Sequence, residues 1–302
     1  MAEDDALMAA LETALVPPVR LVARRPSPYA SSFPLEQLEV ETGAGLRHAL
    51  VWKDVSPGAL LPGGRRARGA GADGPSREPA AYDLLAGAGL GTAARVAAVH
   101  EAGLAWLFLE AVDGARLEHV GDVGAWRGVA GWLADAHGAL AARAADATWL
   151  PAWSPPDPDA LREAGDRRIR ALAGSVAAAR ARSESIAATV VHGDLYPANV
   201  LIGGEGRVCV LDWETIARGP ALIDLAALTA GRWDRPDEAL AEDYRRALAD
   251  PPAASELQAE LDACRLLIAA RWLSAPTAWT PPPEQARDWL SDAELIARRL
   301  RA

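Results

Sequence analysis

The sequence predicts an α+β protein with two lobes, a small antiparallel-sheet N-lobe and a mainly helical C-lobe. The first third of the chain shows strand-like alternation interrupted by turn residues, whereas the remainder carries apolar residues at helical spacing. The length of 302 residues is long for one hydrophobic core and sufficient for two. We place the N-lobe at residues 1–110 and the C-lobe at residues 111–302.

The N-lobe is predicted to begin with a short amphipathic helix over residues 4–16, which Pro17-Pro18 ends. Residues 19–55 predict a three-stranded antiparallel meander, because a Pro/Ser-rich loop and the hairpin turn Thr42-Gly43-Ala44-Gly45 separate three strand-like segments. An exposed mobile loop rich in Gly, Pro and Arg is predicted over residues 57–77. The lobe is completed by a helix over residues 78–86 and two strands over residues 93–99 and 105–110.

The C-lobe follows a segment, Glu110 to Gly114, that breaks the strand pattern and is our candidate hinge. Apolar spacing predicts a helix over residues 123–144, and a proline-rich loop follows it. Two short strands flank the glycine-rich segment Gly203 to Gly206 and predict a hairpin. The other predicted helices span residues 159–187, 221–230, 237–249, 255–273 and 283–300.

The charge of the chain limits the classes of partner. The formal net charge is −10, so a nucleic-acid partner is not expected, because a phosphate backbone requires a basic surface. An acidic protein is better suited to cationic ligands such as aminosugars. No positive region precedes an apolar stretch at the start of the sequence, and no run approaches ~18 apolar residues. We therefore expect a cytoplasmic protein with no secretory signal and no membrane span.

Two residue types are scarce. Cys209 and Cys264 each lie inside an apolar pattern, and their spacing fits no metal motif, so both are predicted to be buried, reduced thiols. Of the 31 lysine and arginine residues, only Lys53 is a lysine. Chance under a bias towards arginine codons is one explanation. The other is that this position requires a compact ammonium charge, which a guanidinium cannot replace.

The chemically informative segment is His192-Gly193-Asp194-Leu195-Tyr196-Pro197-Ala198-Asn199, which has the form His-x-Asp-x-x-x-x-Asn. Phosphoryl transfer requires a carboxylate that orients the attacking hydroxyl and accepts its proton, a role that we assign to Asp194. It also requires Mg²⁺, which prefers hard oxygen ligands. Asn199 and Asp212 provide such ligands from opposite ends of the predicted hairpin.

Two further charged residues complete the set. Lys53 lies on the third predicted strand, where a cation can hold the α- and β-phosphates of a nucleotide. Glu78 begins the next helix and can pair with Lys53. A lone Asp or Asn in a loop would indicate only a turn, but five polar residue types in this order, each on a suitable element, indicate a kinase.

These residues resemble the aminoglycoside phosphotransferase and choline kinase superfamily, a branch of the protein-kinase-like fold. The loop from His192 to Asn199 is similar to the catalytic loop of that family, and Asp212-Trp213-Glu214 stands where protein kinases have Asp-Phe-Gly. The segments Gly219 to Ala226 and Leu133 to His137 also resemble it. The resemblance implies a bilobal kinase-like fold, a nucleotide, ATP or GTP, between the lobes, and transfer of its γ-phosphoryl group to a small-molecule hydroxyl.

The resemblance also implies roles for residues around the catalytic loop. Asp224 is expected to support the loop, and we interpret His192 as a brace through backbone hydrogen bonds rather than a catalytic group. The Gly-x-Gly-x-x-Gly phosphate loop is missing, and a serine-containing loop that meets the phosphates, or a plain surface loop, stands in its place. The residues that we count as cofactor-binding are Ser31, Ser32, Lys53, Glu78, Glu110 and Val112.

The acceptor is the least determined part of the prediction. The segment from Gly231 to Asp262 contains nine acidic residues and four arginines, and this excess of negative charge would suit an amine-bearing acceptor such as an aminoglycoside. A solvated helix surface explains the same charges. Choline, homoserine, a sugar and a peptide serine are alternative acceptors. A non-catalytic nucleotide-binding scaffold is an alternative of another class. The sequence does not distinguish ATP from GTP and does not specify an oligomeric state.

Overall fold

The computed structural model of the protein describes residues 2–30, 32–62, 77–101, 103–230, 237–274 and 287–301. The chain divides into two compact units, Met1–Asp113 and Gly114–Ala302. The division falls three residues after the boundary predicted from the sequence.

Within the described residues, the first unit contains a five-stranded antiparallel sheet in the order β1-β2-β3-β5-β4. The predicted three-stranded meander is confirmed as β1 to β3, paired in sequence. The elements of this unit are α1 (Ala2–Leu11), β1 (Arg20–Pro26), β2 (Leu35–Glu41), β3 (Arg47–Asp54), α2 (Glu78–Gly87), β4 (Arg95–Glu101) and β5 (Leu104–Glu110).

Helix α1 ends at Leu11, earlier than the prediction of residue 16. The reason is local, because the Glu12 side chain accepts a hydrogen bond from the backbone N–H of Val19 at 2.9 Å and turns the chain towards β1. Residues 63–76, which form most of the loop predicted over residues 57–77, lie outside the described residues.

The core of the first unit is formed by one face of the sheet and α1. Leu38, Val40, Leu50, Trp52 and Phe108 are buried there. Since successive strand residues point to opposite faces, Lys53 projects from the face opposite to Trp52. The alternation of β3 therefore places a charged side chain away from this core.

The second unit is mainly helical, as predicted, and its sheets are small. Among the described residues β6 pairs with β8, β8 with β9, and β7 with β10, all antiparallel. The strands are β6 (Gly114–Arg116), β7 (Ala188–Val191), β8 (Val200–Gly203), β9 (Val208–Val210) and β10 (Ala217–Pro220). The helices are α3 (Val123–Ala144), α4 (Pro158–Arg162), α5 (Arg167–Ser183), α6 (Leu222–Leu228), α7 (Asp237–Ala247), α8 (Ala254–Ser274) and α9 (Trp289–Arg299).

The single helical stretch predicted over residues 159–187 is wrong, because two helices, α4 and α5, occupy it. The Asp166 side chain accepts a hydrogen bond from the backbone N–H of Arg168 at 2.7 Å, the geometry of a helix N-cap. The short side chain of an N-cap residue satisfies the first unpaired N–H groups and so starts a new helix. The Ala- and Arg-rich composition alone concealed this break.

Both cysteines of the chain lie in the second unit. Cys209 and Cys264 are free and buried, as predicted. None of the helices in the described ranges is long and apolar enough to cross a membrane.

The β7–β10 pair brings the two ends of the site segment together, since β7 leads into His192 and β10 follows Thr215. Gly219 of β10 lies opposite Thr189 and is buried. A Cβ atom at Gly219 would lie 2.6 Å from Cβ of Trp153 and 3.3 Å from Cγ2 of Val191. The close packing of Trp153 against β10 therefore depends on glycine at this position.

We predict that Gly219→Ala lowers the free energy of unfolding by about 1–3 kcal/mol, the usual cost of overpacking a close-packed site. Urea denaturation would measure it. Gly138→Ala is the matched control, because Gly138 lies in α3 with no atom within 4 Å of an added Cβ. This control should raise stability by about 0.5–1 kcal/mol. Equal effects of the two substitutions would contradict the packing argument.

Candidate active site

The loop between β7 and β8 carries Asp194 and is held from beneath by a buried carboxylate. Asp224, in the first turn of α6, is 2% exposed. Its Oδ2 accepts a hydrogen bond from the backbone N–H of His192 at 2.7 Å, and its Oδ1 accepts one from Gly193 at 2.9 Å. Two adjacent backbone donors on one carboxylate fix the direction in which the chain enters the loop.

His192 links the two ends of the site segment through its ring. Its Nε2 lies 2.8 Å from the carbonyl oxygen of Leu211, and its Nδ1 accepts the backbone N–H of Asp194 at 3.2 Å. These partners assign the proton to Nε2, because a carbonyl oxygen can only accept. The ring also packs against Trp213 with 4.7 Å between the centroids. Both ring nitrogens are therefore occupied by backbone groups.

Gly193 adopts a conformation that requires glycine. Its φ is +82°, in the left-handed region, and an added Cβ would lie 2.8 Å from the carbonyl oxygen of Thr215. The hydroxyl of Thr215 donates to the carbonyl oxygen of His192 at 2.8 Å. The loop bearing Asp194 is thus packed directly on the segment that follows Asp212.

Asn199 and Asp212 are brought together by the hairpin, and their chemistry fits Mg²⁺. The backbone N–H of Leu211 donates to the carbonyl oxygen of Asn199 at 2.8 Å, next to Asp212. The Asn199 amide nitrogen donates to the carbonyl oxygen of Asp194 at 3.0 Å, and within the described part of the chain its amide oxygen accepts no hydrogen bond. Asp212 has a φ of +62°, an uncommon conformation for a residue other than glycine and one that recurs at functional sites.

Asp194 experiences opposing electrostatic effects. Burial raises the pKa of its carboxyl group, and the positive charge of Arg271 opposes that rise. Arg271, near the end of α8, donates from Nη1 to the carbonyl oxygen of Gly193 at 3.2 Å. A guanidinium beside the loop therefore favours the ionised form of Asp194.

Lys53 and Glu78 form a buried ion pair in the first unit. Nζ of Lys53 and Oε2 of Glu78 are 2.7 Å apart, and the side chains are 9% and 1% exposed. Phe33 lies alongside, with its ring centroid 5.8 Å from Nζ. The pairing inferred from the sequence is therefore present, and it fixes the ammonium group in a largely water-free position.

The other residues predicted to bind the nucleotide are placed as follows. Ser31 lies outside the described residues, and Ser32 accepts the N–H of Leu61 on its backbone oxygen at 2.8 Å. Glu110 ends β5 and accepts the N–H of Ala94 at 3.2 Å. Val112 is partly buried beyond β5. Their roles towards a nucleotide remain predictions.

A second network lies behind Asp224. His137 is buried in α3, with Nε2 3.3 Å from Oδ2 of Asp224 and Nδ1 2.9 Å from the hydroxyl of Tyr244. Burial, followed by the charge of Asp224, raises the pKa of Tyr244, so the hydroxyl keeps its proton and donates to Nδ1. His137 is thus a satisfied core histidine, the interpretation favoured from the sequence. The part played by Tyr244 was missed.

An aromatic cluster adjacent to the loop was also missed. Tyr196 accepts a hydrogen bond on its hydroxyl from Nε1 of Trp272 at 2.6 Å. The Trp272 ring stacks on Trp289 with centroids 5.6 Å apart and an interplanar angle of 10°. Burial raises the pKa of Tyr196, and the charge of Asp194 acts in the same direction. The sequence left Tyr196 open between substrate contact and packing, and it gave no signal that Trp272 would reach it.

Comparisons with solved structures show the same fold. The chain is similar to a mutant of aminoglycoside 2'-phosphotransferase-IIIa in its GDP complex (TM-score 0.62, 13% identity, 99% of this chain and 97% of that one). It is also similar to choline kinase LicA from Streptococcus pneumoniae (TM-score 0.57, 14% identity, 100% and 99%). A third is spectinomycin phosphotransferase APH(9)-Ia, in complex with ADP and spectinomycin (TM-score 0.54, 12% identity, 99% and 97%).

The sequence comparisons give the family. No match is found among curated protein sequences. The sequence profile described as "Phosphotransferase enzyme family" matches residues 64–264, which is more than half of the chain and includes Asp194, Asn199, Asp212 and Asp224. The resemblance inferred from the motifs is confirmed: the chain belongs to the phosphotransferase enzyme family.

Proposed function

We propose that this protein is a small-molecule kinase that transfers the γ-phosphoryl group of ATP or GTP directly to a hydroxyl group, with Asp194 as the base. The observation that carries the proposal is the construction of the loop from His192 to Asn199. Asp224 and His192 bind its backbone, and the loop presents Asp194 beside two oxygen-ligand side chains, Asn199 and Asp212. A plain surface loop would not require this number of polar contacts to the backbone on either side of one carboxylate-bearing residue.

The reaction is a single displacement at phosphorus. Asp194 orients the acceptor hydroxyl and takes its proton while the hydroxyl oxygen forms the new bond to the γ-phosphorus. The bond from that phosphorus to the nucleoside diphosphate breaks in the same step, and the diphosphate leaves with the bonding electrons. No covalent enzyme intermediate is needed, because one base and one in-line nucleophile are sufficient.

Asn199 and Asp212 would hold Mg²⁺. An amide oxygen and a carboxylate are hard ligands of the type that Mg²⁺ prefers, together with water and phosphate oxygens. When bound, the ion neutralises charge on the phosphate oxygens. The hydrogen bond from the Asn199 amide nitrogen to Asp194 orients the amide, and the left-handed backbone of Asp212 sets the direction of its carboxylate.

Lys53 would bind the α- and β-phosphates, with Glu78 fixing its position. The ion pair between them is buried, so Glu78 orients the ammonium group and removes the rotational freedom of a long side chain. An ammonium is a compact point charge that differs from a planar guanidinium in shape and hydration. This explains why the only lysine of the chain stands here.

Three carboxylates of the acidic stretch from which an amine-bearing acceptor was inferred are paired with arginines. Glu242 pairs with Arg245 and Arg246, Asp243 with Arg127, and Asp262 with Arg265, so these carboxylates are already neutralised by arginines. These ion pairs therefore do not discriminate between the candidate acceptors, which are an aminoglycoside, choline, homoserine, a sugar and a peptide serine. Among the similar structures, one contains spectinomycin and another is a choline kinase.

A nucleotide-binding scaffold without turnover is the competing function. Such a protein would have lost a member of the set formed by Lys53, Asp194, Asn199 and Asp212, because nothing would maintain a base or a metal ligand. All four are present, and the described contacts orient three of them, Lys53, Asn199 and Asp194. The intact set favours the kinase.

We predict that Asp194→Ala lowers turnover by about 10²- to 10⁴-fold, the usual contribution of a positioned base, while leaving nucleotide binding intact. The protein would be incubated with Mg²⁺ and ATP or GTP against aminoglycosides, choline, amino alcohols, hydroxy acids and sugars. Mass spectrometry would detect a phosphoryl mass shift on the acceptor. A shift that persists at the wild-type rate in Asp194→Ala would overturn the assignment of the base. No turnover by the wild type, despite nucleotide binding, would favour the scaffold.

We predict that Lys53→Arg loses activity on the order of 10²-fold, because the larger planar group misplaces the charge in a buried site. Steady-state kinetics with varied nucleotide would measure kcat and KM. Arg47→Lys is the matched control on the same strand, since Arg47 is exposed and forms a surface ion pair with Glu41. Unchanged kinetics in Lys53→Arg would remove the argument from the single lysine.

A further inference from the structure

Arg271 is the charged side chain from α8 that contacts the catalytic loop. Its guanidinium donates to the carbonyl oxygen of Gly193, the residue that directly precedes Asp194. Among the charges that act on Asp194, that of Arg271 has the largest effect. An acceptor hydroxyl placed for proton transfer to Asp194 therefore brings the rest of the acceptor close to this cation.

The guanidinium of Arg271 has capacity to bind a ligand. A guanidinium carries five N–H donors, and the contact with Gly193 uses one nitrogen. Arg271 is exposed and, within the described parts of the chain, forms no ion pair with a carboxylate. By contrast, Arg265 on the same helix pairs with Asp262, and Arg287 pairs with Asp292. Among the described residues, Arg271 thus has no carboxylate at ion-pair distance and acts on Asp194 only from farther away.

Packed aromatic side chains surround the end of α8 that carries Arg271. Trp272 follows it and binds the Tyr196 hydroxyl, and Trp289 stacks on Trp272. The Arg287 guanidinium lies 5.4 Å from the centroid of the Trp289 ring. These contacts fix the end of α8 relative to the catalytic loop, so the position of Arg271 next to Asp194 is defined by packing.

Resting on the proposed function, we propose that the acceptor carries an anionic group, a carboxylate or a phosphate, near the hydroxyl that is phosphorylated, and that Arg271 binds this group. A guanidinium forms paired hydrogen bonds with a carboxylate or phosphate, which fixes orientation as well as charge. A polycationic acceptor would instead bring its ammonium groups towards Arg271. The carboxylates Glu242, Asp243 and Asp262, which could have attracted a polycation, are paired with arginines.

The test compares three compounds that share one polyhydroxyl chain and differ at one end: gluconate, sorbitol and N-methylglucamine. Each would be titrated into the ¹⁵N-labelled full chain with Mg²⁺ and ADP, following the indole N–H signal of Trp272, which Trp272→Phe assigns. We expect gluconate to bind saturably, and on the order of ten- to 100-fold more tightly than N-methylglucamine, as a charge-assisted hydrogen bond provides.

Variants then assign this preference to Arg271. Arg271→Gln should abolish the difference between gluconate and N-methylglucamine, and Arg271→Lys should retain part of it. Arg180→Gln is the control, because the Arg180 side chain is exposed and forms a surface ion pair with Glu184. If Arg271 had a purely structural role, Arg271→Gln would not change the order of affinity for the three compounds. If Arg271→Gln does not fold, the wild-type comparison still decides.

Three outcomes would overturn the proposal: no saturable response to gluconate, binding of N-methylglucamine at least as tight, or a preference unchanged in Arg271→Gln. The proposed kinase activity is measured separately, as Asp194-dependent nucleotide turnover in the same preparations. An Arg271-dependent response to gluconate without such turnover would refute the kinase and retain the anion site. Turnover of a cationic acceptor with no preference for gluconate would support the kinase and refute the anion site.

Discussion

The arrangement of the second unit around the catalytic loop depends on one buried carboxylate, that of Asp224. Burying an ionised group is costly unless hydrogen bonds replace its hydration. Here the backbone N–H groups of His192 and Gly193 and the ring of His137 supply those bonds. Because the backbone donors belong to the loop, the loop is folded in the one conformation that keeps Asp224 satisfied. Because leaving Asp224 without these donors would be costly, the buried carboxylate stabilises the loop conformation that positions Asp194.

This constraint extends through the unit in both directions. Behind Asp224, the His137 ring contacts Asp224 through Nε2 and the Tyr244 hydroxyl through Nδ1. Helices α3, α6 and α7 therefore share one hydrogen-bonded network. In front of it, the left-handed Gly193 lets the loop pack on Thr215, and His192 binds the carbonyl oxygen of Leu211. The segment before Asp212 is therefore fixed by the same loop that carries the base. Base and metal ligands are not positioned independently.

What the sequence could predict follows from the range of the interactions. The His192–Asn199 motif, the first three strands and the Lys53–Glu78 pair were predictable, because local patterns or known chemistry specify them. The break at Asp166 was missed because one capping side chain outweighed a long helix-favouring composition. The contacts of Arg271 and Trp272 join residues 78 and 76 positions apart, and no local pattern indicates which turn of α8 meets the loop.

Arg271 shows why those non-local contacts determine specificity. Phosphoryl transfer itself requires a base, a metal and a cation, and these are recognisable as motifs because the chemistry restricts the residue types. The acceptor imposes no such common requirement, so its binding residues come from whichever helices pack against the loop. A guanidinium beside Asp194 acts on both problems at once. It opposes the rise that burial causes in the pKa of the base, and it sets the sign of the charge that an acceptor meets there.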